Sequence, residues 1–572
     1  MNVYFFQCQE SYGNSVYLPY SSGILWAYAT ECSDITCMYT LGDIFFEKLN
    51  IKEYVDRVKD PDVLLFSNYG WNTNYHIELA KLLKTVYPNV KIIFGGPNAQ
   101  TKHLDQYDFI DSIVWGEGEN ALVQVLRDLA NNNLQKTYTM PRIININSIP
   151  SPYLSGIFDD FFTRYNYNFI PVWETHRGCP YHCSFCDLGH DYYNKVYMFD
   201  MGRLAAEIHW FSKNKIEYVE VADANFGIFP RDLNLVKIIK QYHDETGYPQ
   251  KIAATWAKNS PDRILEMSLI LDQINRGGVT LALQSNNSVA LNNINRINIA
   301  NSKLKELTKI YRDNNIKTYH DFILGIPGET FESWTNNLLY VLDINPDAWI
   351  FGHPLEAYEN TELSDVEFIE KHGIQFAITP QISFFAKRRT DIPLEYGKYV
   401  VHTNTMNTNQ WIDAYMFKYL LVLMHNYGWT NYISKTITEK LSLPLSDFYK
   451  CLYKYVKLQN NNIVSNEFNT TTNKLINAVE FNLFWGRQVF GTDDIYWEYE
   501  AATSCYFAVN KKLLFDFIKK FVSDTYGVEF IYIVDDADNQ IIDLHRDRKG
   551  QSLEDFCKEI YWKGRRTFKW KK

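Results

Sequence analysis

Gly178-Cys179-Pro180-Tyr181-His182-Cys183-Ser184-Phe185-Cys186 is the stretch that decides how this sequence is interpreted. It follows the apolar run Ile170–Trp173, which is typical of a short buried strand. Its cysteines have the spacing C-x3-C-x2-C, so one loop can present three thiolates to a single centre. Thiolates are soft ligands that suit iron–sulfur clusters, zinc and copper. The spacing therefore predicts a metal centre in the loop after this strand.

The other cysteines bear on which metal that loop holds. The chain has nine cysteines, an odd number, and those outside the trio are thinly spread, which does not indicate a disulfide framework. Structural zinc usually takes four protein ligands, and only the distant Cys451, Cys505 or Cys557 could supply a fourth thiolate by folding back. A cubane 4Fe-4S cluster on three thiolates leaves one iron open to a ligand. We favour the cluster, with structural zinc or unligated cysteines as the alternative.

Strands and helices alternate on the carboxyl side of the cysteine loop. Strands are predicted at Tyr218–Val221, Ile252–Thr255, Val279–Leu283 and Tyr319–Leu324, with helical stretches between them. Repeated strand–helix units predict a parallel sheet, here a full or partial (β/α) barrel over residues 171–380.

A second α/β pattern precedes the loop, over residues 1–135. Short apolar strands separated by helices predict a Rossmann-like parallel sheet covered on both faces. Ligands on such sheets bind at the carboxyl ends of the strands. Three of the predicted strands end in small or polar residues: Ser67-Asn68, Gly95-Gly96 and Gly116-Glu117.

The rest of the chain is less informative. Residues 136–170 are rich in polar residues and contain Pro141, Pro150 and Pro152, which predicts a connector rather than a core. Residues 381–572 predict a mostly helical accessory domain that would cover the substrate, with helices at Gln410–Tyr427 and Leu513–Tyr526. The Asn- and Thr-rich stretch Leu458–Lys474 is interpreted as a polar interruption between helices.

Length and composition exclude several classes of protein. A chain of 572 residues predicts three or four domains, and 46% apolar with 22% charged residues is ordinary for a globular protein. The net charge of −10 argues against non-specific nucleic-acid binding. The start, MNVYFFQCQESYG, lacks the features of a signal peptide, and no apolar window reaches the length of a membrane span. We therefore expect a cytoplasmic protein without a membrane span.

The cysteine motif after a first barrel strand resembles that of the radical S-adenosylmethionine (SAM) superfamily. The resemblance implies that Cys179, Cys183 and Cys186 hold a 4Fe-4S cluster and that the amine and carboxylate of SAM chelate the open iron. Tyr181 and Phe185 would pack around the cluster and limit the access of water.

Three further stretches are similar to SAM-contacting segments of the same superfamily. In each case a plain strand-ending turn or a surface arginine is the alternative, and the G-G-E triplet of the superfamily is not found. The stretches are Asp223-Ala224-Asn225-Phe226, Leu283-Gln284-Ser285 with Arg296, and Gly325-Ile326-Pro327-Gly328-Glu329-Thr330. The resemblance implies contacts to SAM from Asp223, Asn225, Gln284, Ser285, Arg296, Gly325, Pro327 and Gly328.

The amino-terminal region resembles the cobalamin-binding subclass, and with the barrel motifs the resemblance spans residues 1 to about 355. The matching stretches are Tyr17–Leu25, Gly95-Gly96-Pro97, Gly116-Glu117-Gly118-Glu119 and Ser151–Gly156. The resemblance implies that Gly95, Gly96 and Gly116 leave room for cobalamin at the strand ends. Ser67, Asn68 and Glu117 would hydrogen-bond its amides, with helix capping as the alternative.

One feature of many cobalamin proteins is missing. No D-x-H-x-x-G motif, which places a histidine on cobalt, occurs in residues 1–150, and Asp543-Leu544-His545 has only its first half. Tyr69 or Trp71 could cover the lower face of cobalt, with ordinary core packing as the alternative. A flavodoxin-like or nucleotide-binding domain is disfavoured because neither G-x-G-x-x-G nor a P-loop motif is present.

The resemblance implies a cobalamin-dependent radical SAM enzyme. Such an enzyme cleaves SAM reductively to a 5′-deoxyadenosyl radical and, as a methyltransferase, methylates an unactivated carbon from methylcobalamin. It implies a small-molecule, lipid or peptide substrate and an electron donor such as flavodoxin or ferredoxin. The alternatives are ring formation or rearrangement without methyl transfer, a radical SAM enzyme without cobalamin, and a non-enzymatic metal-stabilised binding protein.

Overall fold

The computed structural model describes residues 1–258, 260–275, 277–381, 383–384, 388–488 and 495–540. The chain divides into two compact units. The amino-terminal unit comprises Met1–Val279, Ala357–Phe368 and Arg389–Gly397. The carboxy-terminal unit comprises Thr280–Glu356, Ile369–Arg388 and the described part of the chain from Lys398 onward. Cys557 and the Asp543–His545 triplet lie outside the described residues.

A six-stranded, all-parallel sheet begins the amino-terminal unit, in the strand order β3-β1-β4-β5-β6-β7. Its central strands are apolar because they are buried along nearly their whole length, as a parallel sheet covered on both faces requires. The strands of this region are β1 (Asn2–Gln9), β2 (Ser15–Tyr17), β3 (Thr40–Glu47), β4 (Val63–Ser67), β5 (Lys91–Gly95), β6 (Ser112–Trp115) and β7 (Thr137–Thr139). This sheet confirms the predicted Rossmann-like domain.

The helices of this domain connect successive strands. They are α1 (Tyr20–Ala29), α2 (Ser33–Met38), α3 (Glu53–Arg57), α4 (Thr73–Val86), α5 (Thr101–Leu104) and α6 (Gly118–Ala130). Aromatic rings form much of the core, with Phe6 stacked on Phe66 at 4.7 Å and Phe66 stacked on Phe94 at 4.9 Å between ring centroids. The carboxyl ends of β4, β5 and β6 consequently lie side by side at one edge of a rigid sheet.

The segment predicted to be only a connector contributes buried aromatic rings that pack on the regions before and after it. It contains a 3₁₀ turn at Ile146–Ser148, α7 (Phe161–Arg164) and β8 (Asn168–Ile170), and β8 pairs in parallel with β2. Tyr153, Phe158 and Phe161 are at most 2% exposed. The prediction was wrong on this point because widely spaced aromatics in a polar stretch have no helical or strand periodicity, yet they still meet in space.

The cysteine region continues the amino-terminal unit. Its strands are β9 (Val172–Trp173), β10 (His176–Arg177), β11 (Tyr197–Met198), β12 (Tyr218–Phe226) and β13 (Lys251–Trp256), and its helices are α8 (Met201–Lys213), α9 (Asp232–Thr246) and α10 (Pro261–Ile270). Strands β13, β12 and β9 form a parallel sheet, whereas β10 and β11 pair antiparallel around the cysteine loop. The predicted strands at Tyr218–Val221 and Ile252–Thr255 are confirmed.

A second three-stranded sheet, in the order β14-β15-β16, begins the carboxy-terminal unit. Its elements are β14 (Val279–Thr280), α11 (Ser288–Asn293), α12 (Asn301–Asp313), β15 (Thr318–Leu324), α13 (Phe331–Ile344) and β16 (Trp349–Pro354). They are followed by a 3₁₀ turn at Glu362–Ser364, α14 (Val366–His372), β17 (Gln375–Gln381) and β18 (Glu395–His402). The four strands predicted for the barrel correspond to β12, β13, β14 and β15, and with β9 and β16 they form two sheets of three strands. This fits the prediction of a partial barrel.

The remaining elements are mainly helical, as predicted. They are α15 (Thr408–Leu421), a π-helical turn at Val422–Asn426, α16 (Asn431–Leu441), α17 (Leu445–Leu458), α18 (Ile463–Phe481), β19 (Arg487–Gln488), β20 (Tyr496–Trp497), α19 (Tyr499–Val509), α20 (Lys511–Tyr526), a 3₁₀ turn at Val528–Phe530 and α21 (Ile531–Gln540). Among the residues that the structure describes, none of these or the earlier helices combines the length and apolar composition needed to cross a bilayer.

One prediction for this region was wrong, because most of the stretch interpreted as a polar interruption belongs to α18. The side chain of Asn462 caps the helix by accepting hydrogen bonds from the backbone N–H groups of Val464 and Ser465. Phe468 and Leu475, which are two helical turns apart, are both buried on one face of the helix. The Asn and Thr residues therefore occupy a helix whose few apolar residues are enough to bury it.

Candidate active site: the cysteine loop and the strand ends

Backbone geometry places the cysteine loop directly after β10. Gly178 adopts a φ of +109°, which favours glycine, and a Cβ at this position would lie 2.8 Å from the carbonyl oxygen of Tyr193. The N–H of Cys179 donates to that same carbonyl at 2.9 Å. The segment after the trio thus holds the start of the loop in place.

The three cysteines are largely enclosed by protein. Cys179 and Cys183 are each 8% exposed and Cys186 is half-buried, and none of them is in a disulfide bond. The backbone N–H of Cys186 donates to the carbonyl of Cys183 at 3.0 Å, which curls the loop. Burial raises the pKa of the Cys186 thiol to about 11, so binding a metal there must displace a proton. Tyr181 and Phe185 are half-buried in the same loop, as a shield around a cluster would be.

No three Cys, His, Asp or Glu side chains converge as ligands of one metal ion anywhere in the described ranges. A zinc ion holds its sulfur ligands about 2.3 Å away, whereas a cubane binds each of three thiolates through a different iron.

Asn225, at the end of β12, is brought to the first cysteine. Its side-chain Nδ2 donates to Sγ of Cys179 at 3.3 Å, and the residue is 7% exposed. Hydrogen bonds to cluster sulfurs raise the reduction potential of iron–sulfur clusters. Asn225 therefore contacts a candidate cluster ligand, whereas the sequence had predicted a contact to SAM.

We expect Asn225→Leu to make the midpoint potential of the reconstituted cluster more negative by tens of millivolts, because the variant removes an N–H donor from a thiolate. Anaerobic redox titration followed by electron paramagnetic resonance (EPR) measures the shift. Asn225→Asp, which is isosteric but cannot donate when ionised, should shift the potential in the same direction. A potential unchanged in both variants would contradict the assignment.

Asp223, in β12, is bonded by groups of the protein. Its Oδ1 accepts from the backbone N–H groups of Thr175 at 2.8 Å and His176 at 3.2 Å, and its Oδ2 accepts from the Thr175 hydroxyl. Nδ1 of His176 lies 3.1 Å from Oδ2. Burial opposes protonation of His176, but the hydrogen bond to Asp223 and its charge outweigh burial and raise the pKa of His176. Asp223 therefore anchors the strand that leads into the cysteine loop.

We expect Asp223→Ala to destabilise the amino-terminal unit by about 3 kcal/mol, because it strips a buried, multiply bonded carboxylate from its partners. Asp223→Asn, which keeps the shape and one acceptor oxygen, should cost less. Chemical denaturation followed by tryptophan fluorescence measures both variants. Equal stability of Asp223→Ala and the parent protein would show that these contacts contribute nothing.

The predicted cobalamin residues at the ends of β4 and β5 lie together in the amino-terminal unit. The Ser67 hydroxyl lies 3.2 Å from the hydroxyl of Ser21. Oδ1 of Asn68 accepts from Nδ1 of His76 at 2.7 Å, while its buried Nδ2 has no hydrogen-bond partner among the described residues. A buried amide N–H without a hydrogen-bond partner costs folding free energy. Nδ2 of Asn68 could therefore donate to an oxygen of a ligand amide or phosphate.

His76 cannot replace the missing cobalt histidine. Its Nε2 accepts the backbone N–H of Cys8 at 3.3 Å, which leaves the proton on Nδ1 for Asn68. Burial, assisted by the charge of Lys48, lowers the pKa of His76, and the ring is 0% exposed. Both ring nitrogens are thus committed to the protein.

The two glycines at the end of β5, Gly95 and Gly96, differ in what surrounds them. A Cβ on Gly96, whose φ is +100°, would lie 2.6 Å from the carbonyl oxygen of Asn68, so the backbone itself requires glycine there. A Cβ on Gly95 would meet nothing closer than Val114, at 3.7 Å. The room at the end of β5 that cobalamin would need is therefore next to Gly95.

Beyond that edge, Tyr69 and Trp71 form a partly exposed aromatic pair. Their rings stack at 4.5 Å with an interplanar angle of 9°, and Trp71 is 52% exposed. Because half of the Trp71 side chain is exposed, Trp71 is not an ordinary core residue.

Glu117, at the end of β6, is bound by protein groups. Its carboxylate accepts from Nε of Arg142 at 2.7 Å and from the N–H of Ile143 at 3.2 Å. A Cβ on Gly116, whose φ is +89°, would lie 2.8 Å from the ring of Tyr192. The turn after β6 therefore packs on the segment that follows the cysteines, and Arg142 is a residue of this region that sequence reasoning missed.

Several of the predicted SAM residues lie in the carboxy-terminal unit. The hydroxyl of Ser285 donates to the carboxylate of Glu329, which also accepts from Nδ2 of Asn337 at 2.9 Å. Burial raises the pKa of Glu329, which the sequence had placed at the start of the helix after the Gly325–Gly328 loop. Gln284 adopts a φ of +63°, and its buried Oε1 has no hydrogen-bond partner in the described part of the chain.

The other predicted SAM residues of this unit are packed against protein. Arg296 donates to the carbonyl of Ala282 at 2.5 Å and to Oδ1 of Asn298 at 3.1 Å. The loop Gly325–Gly328 is enclosed: a Cβ on Gly325 would lie 2.8 Å from the carbonyl oxygen of Val400, and Nδ2 of Asn293 donates to the carbonyl of Pro327 at 3.0 Å. Gln284, by contrast, has a buried side-chain oxygen without a hydrogen-bond partner among the described residues.

Two family models match the two α/β regions. The B12 binding domain matches residues 39–126, and the radical SAM superfamily matches residues 173–340. The first contains the ends of β4, β5 and β6, and the second contains the cysteine loop and the candidate SAM residues.

Two curated relatives extend the match over most of the chain. They are the cobalamin-dependent radical SAM methyltransferase TokK of Streptomyces tokunonensis and the 2-(S-pantetheinyl)-carbapenam-3-carboxylate methyltransferase of Streptantibioticus cattleyicolor. Each is 30% identical over 466 residues, which cover 77% of this chain and 68% of the relative. The chain therefore belongs to the cobalamin-dependent radical SAM methyltransferases, whose cofactors are cobalamin, a 4Fe-4S cluster and SAM.

A solved structure supports the fold independently. The cobalamin-dependent SAM radical enzyme OxsB, with aqua-cobalamin and SAM bound, aligns with a TM-score of 0.55 over 100% of this chain and 84% of that chain. At 12% sequence identity the likeness concerns the architecture alone. The architecture is the predicted one, a Rossmann-like domain, a radical SAM domain and a helical carboxy-terminal region.

Proposed function

We propose that this methyltransferase holds its 4Fe-4S cluster on Cys179, Cys183 and Cys186 and its cobalamin at the carboxyl ends of β4, β5 and β6. The observation that carries the proposal is the enclosed loop of three cysteines outside any disulfide bond, in which Sγ of Cys179 accepts a hydrogen bond from Asn225. When bound, the cofactors supply an electron, a carbon-centred radical and a methyl group, so that an unactivated carbon of the substrate is methylated.

The chain's own residues hold and enclose these groups. Burial of Cys179 and Cys183 would keep water away from a cluster bound there, and Asn225 donates to Sγ of Cys179. Asn68 offers its unpartnered Nδ2 at the end of β4, and the exposed face of Trp71 offers a flat apolar surface for the lower side of the corrin. In the carboxy-terminal unit, Gln284 offers its unpartnered amide oxygen to a donor such as an amine or hydroxyl of SAM.

We extend the proposal to substrate and reductant. One relative is named for a carbapenam carboxylate that carries a pantetheine thioether, and we propose a small-molecule carboxylate of that kind as the substrate class. A low-potential carrier protein such as flavodoxin or ferredoxin supplies the electron, because reductive cleavage of SAM consumes one from outside the protein. The domain limits 1–135, 136–170, 171–380 and 381–572 and cytoplasmic location stay predictions.

Anaerobic reconstitution with iron, sulfide, SAM and hydroxocobalamin tests the cofactor assignment. We expect iron and corrin absorption in one protein and release of 5′-deoxyadenosine on reduction with dithionite. Zinc without iron at the trio would overturn the cluster assignment in favour of a metal-stabilised binding protein. Absence of corrin would favour a radical SAM enzyme without cobalamin.

Incubation with 2-(S-pantetheinyl)-carbapenam-3-carboxylate and deuterated-methyl SAM tests the reaction. A product heavier by one deuterated methyl in place of hydrogen supports methylation of this substrate class. A product that loses hydrogen without gaining a methyl would instead favour ring formation. Recovery of the unchanged acid while 5′-deoxyadenosine accumulates would reject this substrate class and leave the cofactor assignment standing.

A further inference from the structure

Arg142 is the most heavily bonded buried charge in the segment between the two α/β regions of the amino-terminal unit. Its guanidinium donates from Nε to Glu117 at 2.7 Å, from Nη1 to the carbonyl of Lys195 at 2.7 Å and from Nη2 to the carbonyl of Arg177 at 3.3 Å. The Arg142 side chain is 8% exposed. One side chain thus bonds the turn after β6, the residue before the cysteine loop and the segment after it.

Three tyrosine rings surround the same guanidinium. The distances from the guanidinium carbon to the ring centroids are 5.9 Å for Tyr192, 5.8 Å for Tyr193 and 4.8 Å for Tyr197. Cations are stabilised over such ring faces, more so where water is excluded. The rings therefore fix the plane of the guanidinium as well as its position.

The two ends of this contact chain are the proposed cofactor sites. On one side, the N–H of Glu117 donates to the hydroxyl of Tyr192 at 2.9 Å, and that hydroxyl donates to the carbonyl of Met140 at 3.1 Å. On the other side, the carbonyl of Tyr193 accepts the N–H of Cys179 at 2.9 Å. Segment 192–197 therefore lies between the end of β6 and the first proposed cluster ligand, and Arg142 bonds both ends of it.

A second arginine, Arg177, also bonds residues at the contact between the turn after β6 and the cysteine loop. Nη1 of Arg177, the residue before Gly178, lies 2.7 Å from Glu119 and 3.9 Å from Glu117. Arg177 also bonds Glu174 at 2.9 Å. Two arginines and three glutamates thus form one enclosed network across this junction.

We propose that Arg142 is a positioning residue that fixes the cysteine loop relative to the turn after β6, and thereby the spacing between cluster and cobalamin. The inference rests on the proposed function for what those two sites hold. A planar guanidinium can bond a carboxylate and several carbonyls in fixed directions at once, which an ammonium cannot. Radical cleavage and methyl transfer act in turn on one substrate carbon, so misplacement of about 1 Å is enough to separate them kinetically.

Arg142→Lys tests the proposal because it keeps the positive charge beside Glu117 and removes the fork. Hydrogen–deuterium exchange of the cofactor-free protein is the first measurement. We expect backbone amides in residues 190–199 to exchange about tenfold faster in the variant, because their carbonyl anchors are lost. Unchanged exchange in this segment would overturn the proposal whether or not the cofactors bind.

The reconstituted protein gives the second measurement. We expect iron and corrin contents equal to those of the parent protein, but a weaker magnetic interaction between the reduced cluster and cob(II)alamin in EPR spectra. We also expect more 5′-deoxyadenosine released per methylated product. A merely structural role would lower both products together, and an unchanged spectrum and ratio would overturn the proposal.

Arg164→Lys is the matched control. Arg164 lies in the same stretch of chain, pairs with Asp43 at 2.5 Å and Asp160 at 2.9 Å, and has the ring of Tyr165 at 5.1 Å. In the described part of the chain, its hydrogen bonds and ion pairs involve none of residues 177–197. It should leave exchange at 190–199 and the spectrum unchanged. Equal changes in both lysine variants would overturn a role specific to Arg142.

A second variant and the exchange measurement allow the proposal to be tested even if Arg142→Lys fails to fold or the cofactors do not bind. If Arg142→Lys does not accumulate as folded protein, Tyr197→Leu removes the nearest ring and keeps every hydrogen bond of Arg142, and the same faster exchange is expected. If the parent protein binds no corrin or no iron, the proposed function fails, while the exchange measurement still decides whether Arg142 positions the cysteine loop.

Discussion

Cys183→Ala should abolish the 4Fe-4S cluster and reduce 5′-deoxyadenosine formation to the level seen without enzyme. Cys183 is 8% exposed and lies at the centre of the trio, so its loss leaves two thiolates for a cubane that needs three. The amino-terminal sheet has its own core and should stay folded and retain cobalamin. Iron content, the absorbance of the corrin and chromatography of the SAM products measure the three expectations.

Cys37→Ala is the matched control for that variant. Cys37 is an exposed free cysteine of the Rossmann-like domain, and its removal should change neither iron content nor SAM cleavage. Deoxyadenosine formation that survives in Cys183→Ala would refute the cluster assignment. Loss of cobalamin together with iron would instead show that the two sites depend on each other for folding.

Gly95→Leu should lower cobalamin retention about tenfold, equivalent to about 1.4 kcal/mol of binding free energy, and leave the cluster intact. The nearest atom to a Cβ at this position is Cβ of Val114 at 3.7 Å, so the side chain extends into the space at the end of β5. Gly95→Ala, which fills only the room beside Val114, should retain most of the cobalamin. Corrin absorbance after gel filtration measures both.

Gly96→Leu would not give the same information. A Cβ at Gly96 would collide with the backbone of Asn68, so loss of cobalamin there would follow from damage to the strand end. In Gly95→Leu, by contrast, an unchanged thermal unfolding midpoint together with unchanged corrin content would remove the proposed groove. A lowered midpoint in Gly95→Ala would show that the space is needed by the fold itself.

The sequence predicted the fold well where periodicity is strong. The apolar runs around Leu64–Phe66 and Ile92–Phe94 are buried central strands, and such strands must be apolar along their whole length. It failed where burial depends on a few separated residues, as in α18 and around Tyr153. Phe468 in a run of Asn and Thr gives no local signal, because the partners that bury it are far away in the chain.

In the candidate site, too, the sequence predicted the features that depend on local spacing and missed those that depend on residues distant in the chain. A fixed spacing of three soft ligands limits the chemistry of the loop before any fold is known, so the cysteine trio predicted a cluster. The role of Asp223 was not predictable, because a carboxylate at a strand end can face a ligand or its own backbone, and here it bonds Thr175 and His176. Arg142 gave no signal at all, since it is one arginine in a polar stretch.

By itself the sequence determined that the cysteine loop carries three soft ligands suited to a metal centre, since ligand type and spacing are local properties of nine consecutive residues. Only the tertiary structure decided which polar atoms remain free for the cofactors, such as Nδ2 of Asn68, and which are consumed by the protein, such as the carboxylate of Glu117. The physical reason is that a hydrogen-bonding group is satisfied by whatever the fold brings within about 3 Å of it, and most of those partners are remote in sequence.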